Sequence, residues 1–546
     1  MAQRNLLNPE RRQRLPVLFA TLGVGVLLIG GGLSLRVNQD QAVAVAAAET
    51  ATAAITDTPT STPTETPTPT ITPSPTITPT GTLPPTSTTA PSQTPGPTAV
   101  PPNRASIDTG GYATPSTPPS TAIPTPVDPV AQPQGVRNIL LLGSDQRPND
   151  SGILTDTVII VSINQQENTA NMLSIPRDIL VYAPGWTMVK INQVYNHGEA
   201  VGWPGGGFGL LKETLLYNFG IPIDHYAMVD LRGFQDIVDV LGGVEVPVDC
   251  AISGVALTEP RLTPEDFDTY EDWVDYTDPE VNPDNYTDFT IPVGMITLDG
   301  YEALWYARQR KGSSDFDRAY RQQQVLRAIF RQARDIGITD ITNLPGYYRE
   351  YNDLITTDMG LGNFLELAPI SANMDLFAIN SYILTPDNLT SWNDPDLGQI
   401  AYLPIPEDVQ FLVSRAMLPP AKNYVTQNTA TVEIRNGTGR NRIDEVAADL
   451  LINQGGLDTT QTGFADSTGY GETVIYDYTG RDKTSQLLTL QRLLRVGDDN
   501  VIEQPDPNRV FDYMVIIGAD YTTCRRNVDV PAPYNPPTAT PTEETP

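Results

Sequence analysis

The sequence predicts an α/β protein, and two kinds of segment support this. Three short runs, residues 137–142, 157–163 and 171–175, are almost continuously apolar, which is typical of strands buried on both faces of a sheet. Further along, residues 299–310 and 317–330 carry apolar side chains at helical spacing. Buried strands combined with amphipathic helices indicate the α/β class.

The N-terminal region predicts a membrane anchor. Residues 1–14 include four arginines, and residues 15–35 carry no charge, a length that spans a bilayer. The arginine excess predicts that residues 1–14 form a cytoplasmic tail and that the bulk of this single-pass protein is extracytoplasmic. A cleaved signal peptide is the alternative, although the uncharged run is longer than the usual apolar core of one.

Residues 36–135 predict a disordered stalk, because their central part consists almost entirely of Thr, Pro and Ser. No hydrophobic core can form from such a composition, and the dense prolines favour an extended polyproline conformation. Folded sequence is predicted to begin at Val136.

Charge and cysteine content limit the possible functions. The formal net charge of -31 argues against general binding of nucleic acid, which requires clustered Lys and Arg. The only two cysteines, Cys250 and Cys524, match no zinc or redox motif. They form a disulfide outside the cytoplasm or remain two unpaired small apolar residues.

Charged residues stand where the predicted strands begin and end. If the three strands run up, down and up, the end of the first, the start of the second and the end of the third meet at one sheet edge. That edge then holds Asp145, Asp156, Arg177 and Asp178. The alternative is that the two aspartates only cap a solvent-exposed turn.

A second basic group lies downstream. Asp299 is predicted to cap a short helix that has Arg308 and Arg310 at its C-terminal margin. A longer helix is predicted to start near Asp317, which puts Arg318 in its first turn, where the helix dipole favours negative charge. Either Asp315 and Asp317 compensate this arginine alone, or a bound phosphate does.

A bound phosphate would account for the arginines and the aspartates together. Arg308, Arg310 and Arg318 would hold phosphate oxygens through their planar donors. Asp145 and Asp156 would hold Mg²⁺ (or Mn²⁺), an ion that commonly takes one or two protein carboxylates and completes its shell with water and substrate.

Ordered sequence blocks make this chain resemble the LytR-CpsA-Psr proteins, which attach glycopolymers to bacterial cell walls. The blocks, in family order, are NILLLGSDQR, TDTVIIVSI, LSIPRD, KINQVYNHG, IDHYAMVDLRGFQDIVDVLGGVEV and LDGYEALWYARQR with DFDRAYRQQQ. From Thr431, the segments TVEIRNGTGRNRIDEVAADLLINQGG, TVIYDY and DYMVIIGADY resemble the small C-terminal domain often attached to such proteins. The resemblance implies a three-layer αβα sandwich with a mixed central sheet over residues 136–420. It also implies a LytR C-terminal-like α/β domain over residues 429–521, followed by a disordered tail, residues 522–546.

The resemblance also assigns roles to residues. It makes Asp145 and Asp156 metal-associated, and it puts five residues around a pyrophosphate, namely Arg177, Arg308, Arg310, Arg318 and Gln322. One position departs from the family pattern, because Leu154 stands where the family usually has an arginine, and Arg147 is a candidate replacement. Lys190 and Asn192 are predicted to line the cleft, although either could simply pack, and Asp145 and Asp178 are candidates for the general base.

The resulting functional prediction is a membrane-anchored, Mg²⁺-dependent phosphotransferase of cell-wall biogenesis. It would move a glycan from a polyprenyl-pyrophosphate carrier to peptidoglycan as a phosphodiester, with the lipid chain held between sheet and helices. A hydrolase of polyprenyl pyrophosphates would use the same site with water as the acceptor. A non-catalytic wall-binding protein is the other alternative, which Leu154 and the stalk favour.

Overall fold

The computed structural model describes residues 110–116, 119, 121–144, 152–259, 267, 270–277, 281–335, 355–372, 374, 379–395, 398–420, 429–522 and 524. The predicted tail, membrane segment and most of the predicted stalk therefore lie outside the described residues. Within the described part of the chain, no helix combines the length and apolar character needed to cross a bilayer.

Two main sheets, accompanied by four two-stranded sheets, organise the described chain. The larger has six strands in the order β11-β6-β1-β2-β3-β12, and the smaller, near the C-terminus, has five in the order β16-β15-β19-β17-β18. The strands are β1 (Val136–Ser144), β2 (Thr155–Asn164), β3 (Thr169–Ser174), β4 (Leu180–Tyr182), β5 (Met188–Lys190), β6 (His225–Val229), β7 (Val244–Val248), β8 (Ile252–Leu257), β9 (Tyr286–Ile291), β10 (Gly294–Leu298), β11 (Thr356–Thr357), β12 (Ile379–Ile383), β13 (Leu389–Asp394), β14 (Gln399–Pro404), β15 (Thr431–Asn436), β16 (Asp458–Phe464), β17 (Val474–Asp477), β18 (Val501–Glu503) and β19 (Tyr513–Ile517).

The larger sheet is mixed, as the resemblance implies. Strands β1, β2 and β3 run up, down and up in antiparallel pairs. Strand β6 joins β1 in parallel, and β12 joins β3 in parallel. The predicted order and directions of the first three strands are therefore confirmed.

Helices cover both faces of this sheet. The α-helices of the described residues are α1 (Val194–Val201), α2 (Gly206–Phe219), α3 (Leu231–Val240), α4 (Tyr270–Tyr276), α5 (Gly300–Arg308), α6 (Asp315–Asp335), α7 (Leu361–Ala372), α8 (Pro406–Ala416), α9 (Ile443–Gly455) and α10 (Thr484–Leu494). On one face the apolar side chains of α3, α5, α6 and α7 form a core with Ile139 and Val161. On the other face α1, α2 and α8 form a core with Leu140 and Ile160. Neighbouring strand residues point to opposite faces, and both faces are buried, so the apolar runs lack alternation.

The packed chain begins earlier than Val136. The Val127 amide donates to the carbonyl of Tyr217 in α2 at 2.9 Å, and the Val130 amide donates to the Gly220 carbonyl at 2.8 Å. Further upstream, the Tyr112 hydroxyl donates to Glu213 of α2 at 2.8 Å, so part of the predicted stalk from Tyr112 onward contacts α2. The proline-rich composition gives no signal of this packing, because it uses backbone hydrogen bonds and isolated side chains such as Tyr112 and Val130 instead of a periodic apolar pattern.

The C-terminal domain is an α/β unit of the smaller sheet with α9 and α10. It is joined to the first domain by the disulfide Cys250–Cys524. The carboxylate of Asp449 in α9 also lies 2.8 Å from Nη1 of Arg331 in α6. The two cysteines therefore pair, which the spacing in the sequence leaves open.

Candidate functional site

A cavity of about 290 Å³ lies between the larger sheet and helices α3, α5 and α6. Its volume is near the lower end of the range for small-molecule sites, roughly 300–1,000 Å³. Its lining residues are Leu141, Leu142, Gly143, Ser144, Asp156, Thr157, Ile159, Arg177, Ala227, Val229, Asp230, Leu231, Phe234, Ile237, Leu304, Ala307, Arg308, Arg310, Arg318, Gln322, Val325, Leu326 and Ile329.

The cavity wall changes from charged to apolar along helix α6. Arg318, Gln322, Val325 and Ile329 are spaced by four, three and four residues, so they form one stripe on the helix. The charged member lies in the first turn, and the apolar members follow along the helix. The wall therefore suits an amphiphilic ligand with an anionic group at one end and a hydrocarbon part at the other.

Leu304 in α5 and Leu326 in α6 are two apolar residues that are not packed in the core. Both belong to apolar helix faces, yet each is only half-buried, whereas their helical neighbours Ala303 and Val325 are buried. Both leucines line the cavity, which accounts for their residual exposure. The apolar pattern of these helices therefore includes a cavity wall as well as a packed core.

Asp156 and Arg177 meet at the predicted sheet edge. Asp156 is the second residue of β2, whose first residue, Thr155, pairs with Ser144 at the end of β1. Arg177 follows the end of β3 by three residues. Arg177 Nη1 lies 2.7 Å from Asp156 Oδ1, so the up-down-up arrangement brings these two residues together as predicted.

The remaining arginines come from the junction between α5 and α6. Helix α5 begins with a capping box in which Asp299 accepts from the Glu302 amide, and it ends at Arg308. Arg310 follows in the turn, and Arg318 is in the first turn of α6. All three arginines line the cavity together with Arg177.

The start of α6 is fixed by Ser314 and Asp317. The Ser314 amide donates to Asp317 Oδ2 at 2.8 Å, and the Asp317 amide donates to Ser314 Oγ at 3.1 Å. This reciprocal arrangement satisfies two amides that a helix N-terminus otherwise leaves without partners. The helix starts at Asp315, two residues before the predicted position.

Burial and neighbouring charges change the pKa values of two of these arginines in opposite directions. Burial lowers the pKa of Arg318, and the positive charges of Arg177 and Arg310 add to this effect against the opposing influence of Asp315. For Arg177, burial is the largest single influence and opposes the charged form, but the hydrogen bond to Asp156 and the negative charges of Asp156, Asp178 and Asp315 together outweigh it, and the pKa is raised. Both remain cationic near neutral pH because arginine starts from so high a value. The cavity mouth is therefore a concentrated positive site.

Three predicted substrate-binding residues lie behind Arg177 rather than on the cavity wall. Lys190 Nζ is 2.9 Å from Asp178 Oδ1, and Asp178 Oδ2 is 3.4 Å from Arg177 Nε. The Asn192 amide donates to the Arg177 carbonyl at 3.3 Å. Asp178, Lys190 and Asn192 are absent from the described cavity lining; Asp178 contacts the Arg177 side chain, Lys190 contacts Asp178, and Asn192 contacts Arg177 through the backbone.

Asp145 and Arg147 lie outside the described residues. Of the two aspartates predicted to bind the metal, the structure therefore describes Asp156. Among the described residues, no group of three or more His, Cys, Asp or Glu side chains could hold a metal ion. Mg²⁺ does not require such a group, because it often takes one or two carboxylates and keeps several waters. Asp156 fits this chemistry, since it is a half-buried carboxylate at the cavity mouth with one oxygen engaged by Arg177.

Asp230 is a cavity residue that was not predicted from the sequence. It follows β6, which runs parallel to β1, with Val229 paired to Gly143. Its carboxylate accepts from the Gly233 amide at 2.7 Å and caps α3. The aspartate before the apolar stripe is a recognisable cap signal. Only the strand pairing shows that this cap lies at the same sheet edge as Ser144.

The fold and site define an α/β protein with an apolar cavity that opens at a cluster of arginines. The LytR_cpsA_psr family model matches residues 114–395, and a second model, described as LytR cell envelope-related transcriptional attenuator, matches residues 429–521. The chain belongs to the LytR-CpsA-Psr family.

Several characterised proteins are similar to this chain. A Bacillus subtilis protein named polyisoprenyl-teichoic acid–peptidoglycan teichoic acid transferase TagU is 29% identical over 233 residues, 42% of this chain and 62% of that protein. The TagU protein of Oceanobacillus iheyensis is 36% identical over 198 residues, 36% of this chain and 51% of that protein. The chain thus spans between about half and two thirds of the length of these relatives. The crystal structure of Bacillus subtilis TagV is 23% identical, with 52% of this chain and 97% of that chain covered and a TM-score of 0.40.

Proposed function

We propose that this chain is a membrane-anchored phosphotransferase of the cell wall. In this proposal it moves a glycopolymer from a polyprenyl-pyrophosphate carrier to a hydroxyl of peptidoglycan, leaving a phosphodiester linkage. The names of its relatives, which are transferases acting between polyisoprenyl-linked teichoic acid and peptidoglycan, support the reaction class. The uncharged run at residues 15–35 supports the anchor and the extracytoplasmic location.

One observation carries the proposal: four arginines surround the mouth of a cavity whose interior is lined by aliphatic side chains and Phe234. A polyprenyl pyrophosphate has this same division between a hydrocarbon chain and a doubly phosphorylated end. Burial of the chain would supply most of the binding free energy, and the arginines would fix the position of the phosphates.

In the reaction, the acceptor oxygen forms a bond to the phosphorus that carries the glycan. The bond between that phosphorus and the bridging oxygen breaks, and polyprenyl phosphate leaves with the electron pair. Charge develops on the transferring and leaving phosphates, so guanidinium groups aimed at these oxygens stabilise the transition state. Arg318 and Arg310, held by one carboxylate, are positioned for this role.

The proposal also includes a metal site and a general base. Asp156 together with Asp145 would hold Mg²⁺ or Mn²⁺, which would neutralise phosphate charge when bound. The acceptor hydroxyl loses its proton during transfer. Of the two candidate bases, Asp178 lies among the described residues, where its carboxylate is paired with Lys190 and Arg177.

The test uses the purified full chain in detergent with a lipid-linked glycan and wall fragments. A transferase should form a glycan phosphodiester on the wall fragments and release polyprenyl phosphate. Both products should disappear when a chelator is added and return when Mg²⁺ or Mn²⁺ is restored. A hydrolase would release glycan phosphate at the same rate without wall fragments. A wall-binding protein would retain the fragments and release no polyprenyl phosphate.

A further inference from the structure

The interface between the two domains is held at several points. Cys250, two residues after β7, forms the disulfide with Cys524. Arg442 donates to Glu245 of β7 at 2.6 Å, which adds an ion pair next to the same strand. Helix α9 packs against β7, β10 and β12. Groups from the two domains therefore keep a fixed relation, and a gap between them has defined walls.

Such a gap is present as a cleft of about 540 Å³, which is larger than the cavity described above. The first domain contributes Asn380 and Tyr382 of β12 and Arg415 of α8. The second domain contributes Ser485 and Thr489 of α10 and the turn after α9. The volume is sufficient for a ligand of drug-like size, which for a carbohydrate is a short oligosaccharide.

The charge of the cleft differs from that of the whole chain. The chain has 65 acidic residues and a net charge of -31, yet the described lining of the cleft contains no Asp or Glu and one cation, Arg415. The Arg415 guanidinium lies over the ring of Phe411, with 5.7 Å from Cζ to the ring centroid. In the described part of the chain it forms no ion pair with a carboxylate. Its charge is therefore available to an anionic ligand.

The other polar groups of the cleft suit a hydroxyl-rich ligand. The Asn380 amide donates to Asn171 at 3.0 Å, the Ser485 hydroxyl to Gln486 at 2.7 Å and the Thr489 hydroxyl to the Ser485 carbonyl at 3.0 Å, so the side-chain oxygens of these three residues remain as acceptors on the cleft wall. Acceptor oxygens of this kind match the O–H donors of a sugar. The exposed ring of Phe411, one turn before Arg415 on α8, adds an apolar surface beside them.

We infer that this interdomain cleft binds an oligosaccharide that carries a carboxylate or phosphate group, with Arg415 as its anion contact. The inference rests on the proposed function, in which a glycan is either the transferred group or part of the acceptor. Two sources share this chemistry: the wall glycan carries carboxylates, and a transferred glycopolymer carries phosphates. The C-terminal domain would thus form half of a glycan-binding site.

The test is calorimetric binding to the full chain in detergent, with no lipid donor present. The probes are a tetrasaccharide of alternating N-acetylglucosamine and N-acetylmuramic acid, an oligo(glycerol phosphate), and neutral chitotetraose. Arg415→Gln should lower the affinity for the anionic probe about 10-fold or more, because one charge-assisted hydrogen bond is lost. The affinity for chitotetraose should change little. Ser485→Tyr, at an exposed position of the wall, should weaken binding of every probe that the wild type binds.

Arg492→Gln, which removes an exposed arginine at the other end of α10, is the matched control and should leave binding unchanged. The anionic probe that binds identifies the source of the glycan. Failure of every probe to bind, or binding that neither cleft variant weakens, would overturn the inference while leaving transfer activity to be judged separately. Cleft binding without any transfer by the same preparation would instead count against the proposed function.

Discussion

Arg318 and Asp315 face each other at the start of α6, with 3.2 Å between Nη2 and Oδ1. The other oxygen of Asp315 accepts from Arg310 at 3.0 Å. Asp315 thus compensates an arginine in the first helical turn, as one of the two sequence alternatives requires. The Arg318–Asp315 pair is largely buried, however, and it holds two arginines side by side at the cavity mouth. This arrangement leaves further guanidinium donors available for a phosphate.

Replacing Arg318 by Ala should reduce turnover much more than lipid affinity. The arginine acts on charge that develops in the transition state, and loss of such a contact costs ~2–4 kcal/mol, roughly 30- to 1000-fold in rate. The measurement is glycan transfer and polyprenyl-pyrophosphate affinity on the same variant. Arg334→Gln, at the exposed far end of α6, is the control. Equal small losses in both quantities would contradict a catalytic role for Arg318.

Ala307→Phe should give the opposite pattern. Ala307 lines the cavity on the α5 side, and a phenyl ring there would occupy space assigned to the hydrocarbon chain. We expect lipid affinity to fall by about 10-fold or more, because several buried methylene groups are worth ~0.8 kcal/mol each. Thermal unfolding of the variant checks that the fold is retained. Unchanged affinity in a folded variant would show that the lipid binds elsewhere.

Leu154→Arg should increase activity. Leu154 precedes β2, is 36% exposed, and is two residues before Asp156, so an arginine there can be introduced without opening the core. One added charge-assisted contact to a phosphate is worth about 1.5–3 kcal/mol, which predicts an increase in kcat/KM of about 10-fold or more. Leu154→Gln provides the uncharged comparison. If both variants behave like the wild type, the missing family arginine has no consequence in this chain.

Asp249→Asn should reduce the loss of stability between pH 4 and pH 7. Burial raises the pKa of Asp249 to about 6, so the folded state keeps this proton at pH values where the unfolded chain has released it. The stabilising contribution is therefore complete below about pH 4 and is lost as pH rises through about 6. Removing the group should shrink the difference in unfolding free energy between the two pH values by ~2 kcal/mol. Denaturant unfolding of wild type and variant at both pH values measures this, and parallel pH curves would contradict it.

The sequence predicts the local parts of the site well. The capping aspartate Asp299, the helix that ends at Arg308 and the apolar stripe around Val325 all depend on interactions within a few residues of one another. Asp156 and Arg177 were placed correctly because three successive strands each pair with their neighbour in the sequence. Strands that are consecutive in the sequence usually pair with each other, which leaves few possible arrangements.

Other features required contacts between distant parts of the chain. Lys190 and Asn192 were predicted to line the cleft, but they lie behind Arg177, since β5 pairs with β4 outside the main sheet. Val127 and Val130 were assigned to the stalk, whereas their amides donate to Tyr217 of α2 and to Gly220 directly after it. Neither relation leaves a periodic signal in the sequence.

By itself, the sequence determined the buried strands, the caps and faces of the helices, and the charged residues at the strand ends. These features follow from side-chain periodicity and from hydrogen bonds that close within one or two turns. Only the tertiary structure decided that Asp230 joins the site edge, that Cys250 pairs with Cys524, and that Arg415 lines an interdomain cleft. Such relations depend on which distant strands and helices pack together, and local periodicity carries no information about the partner.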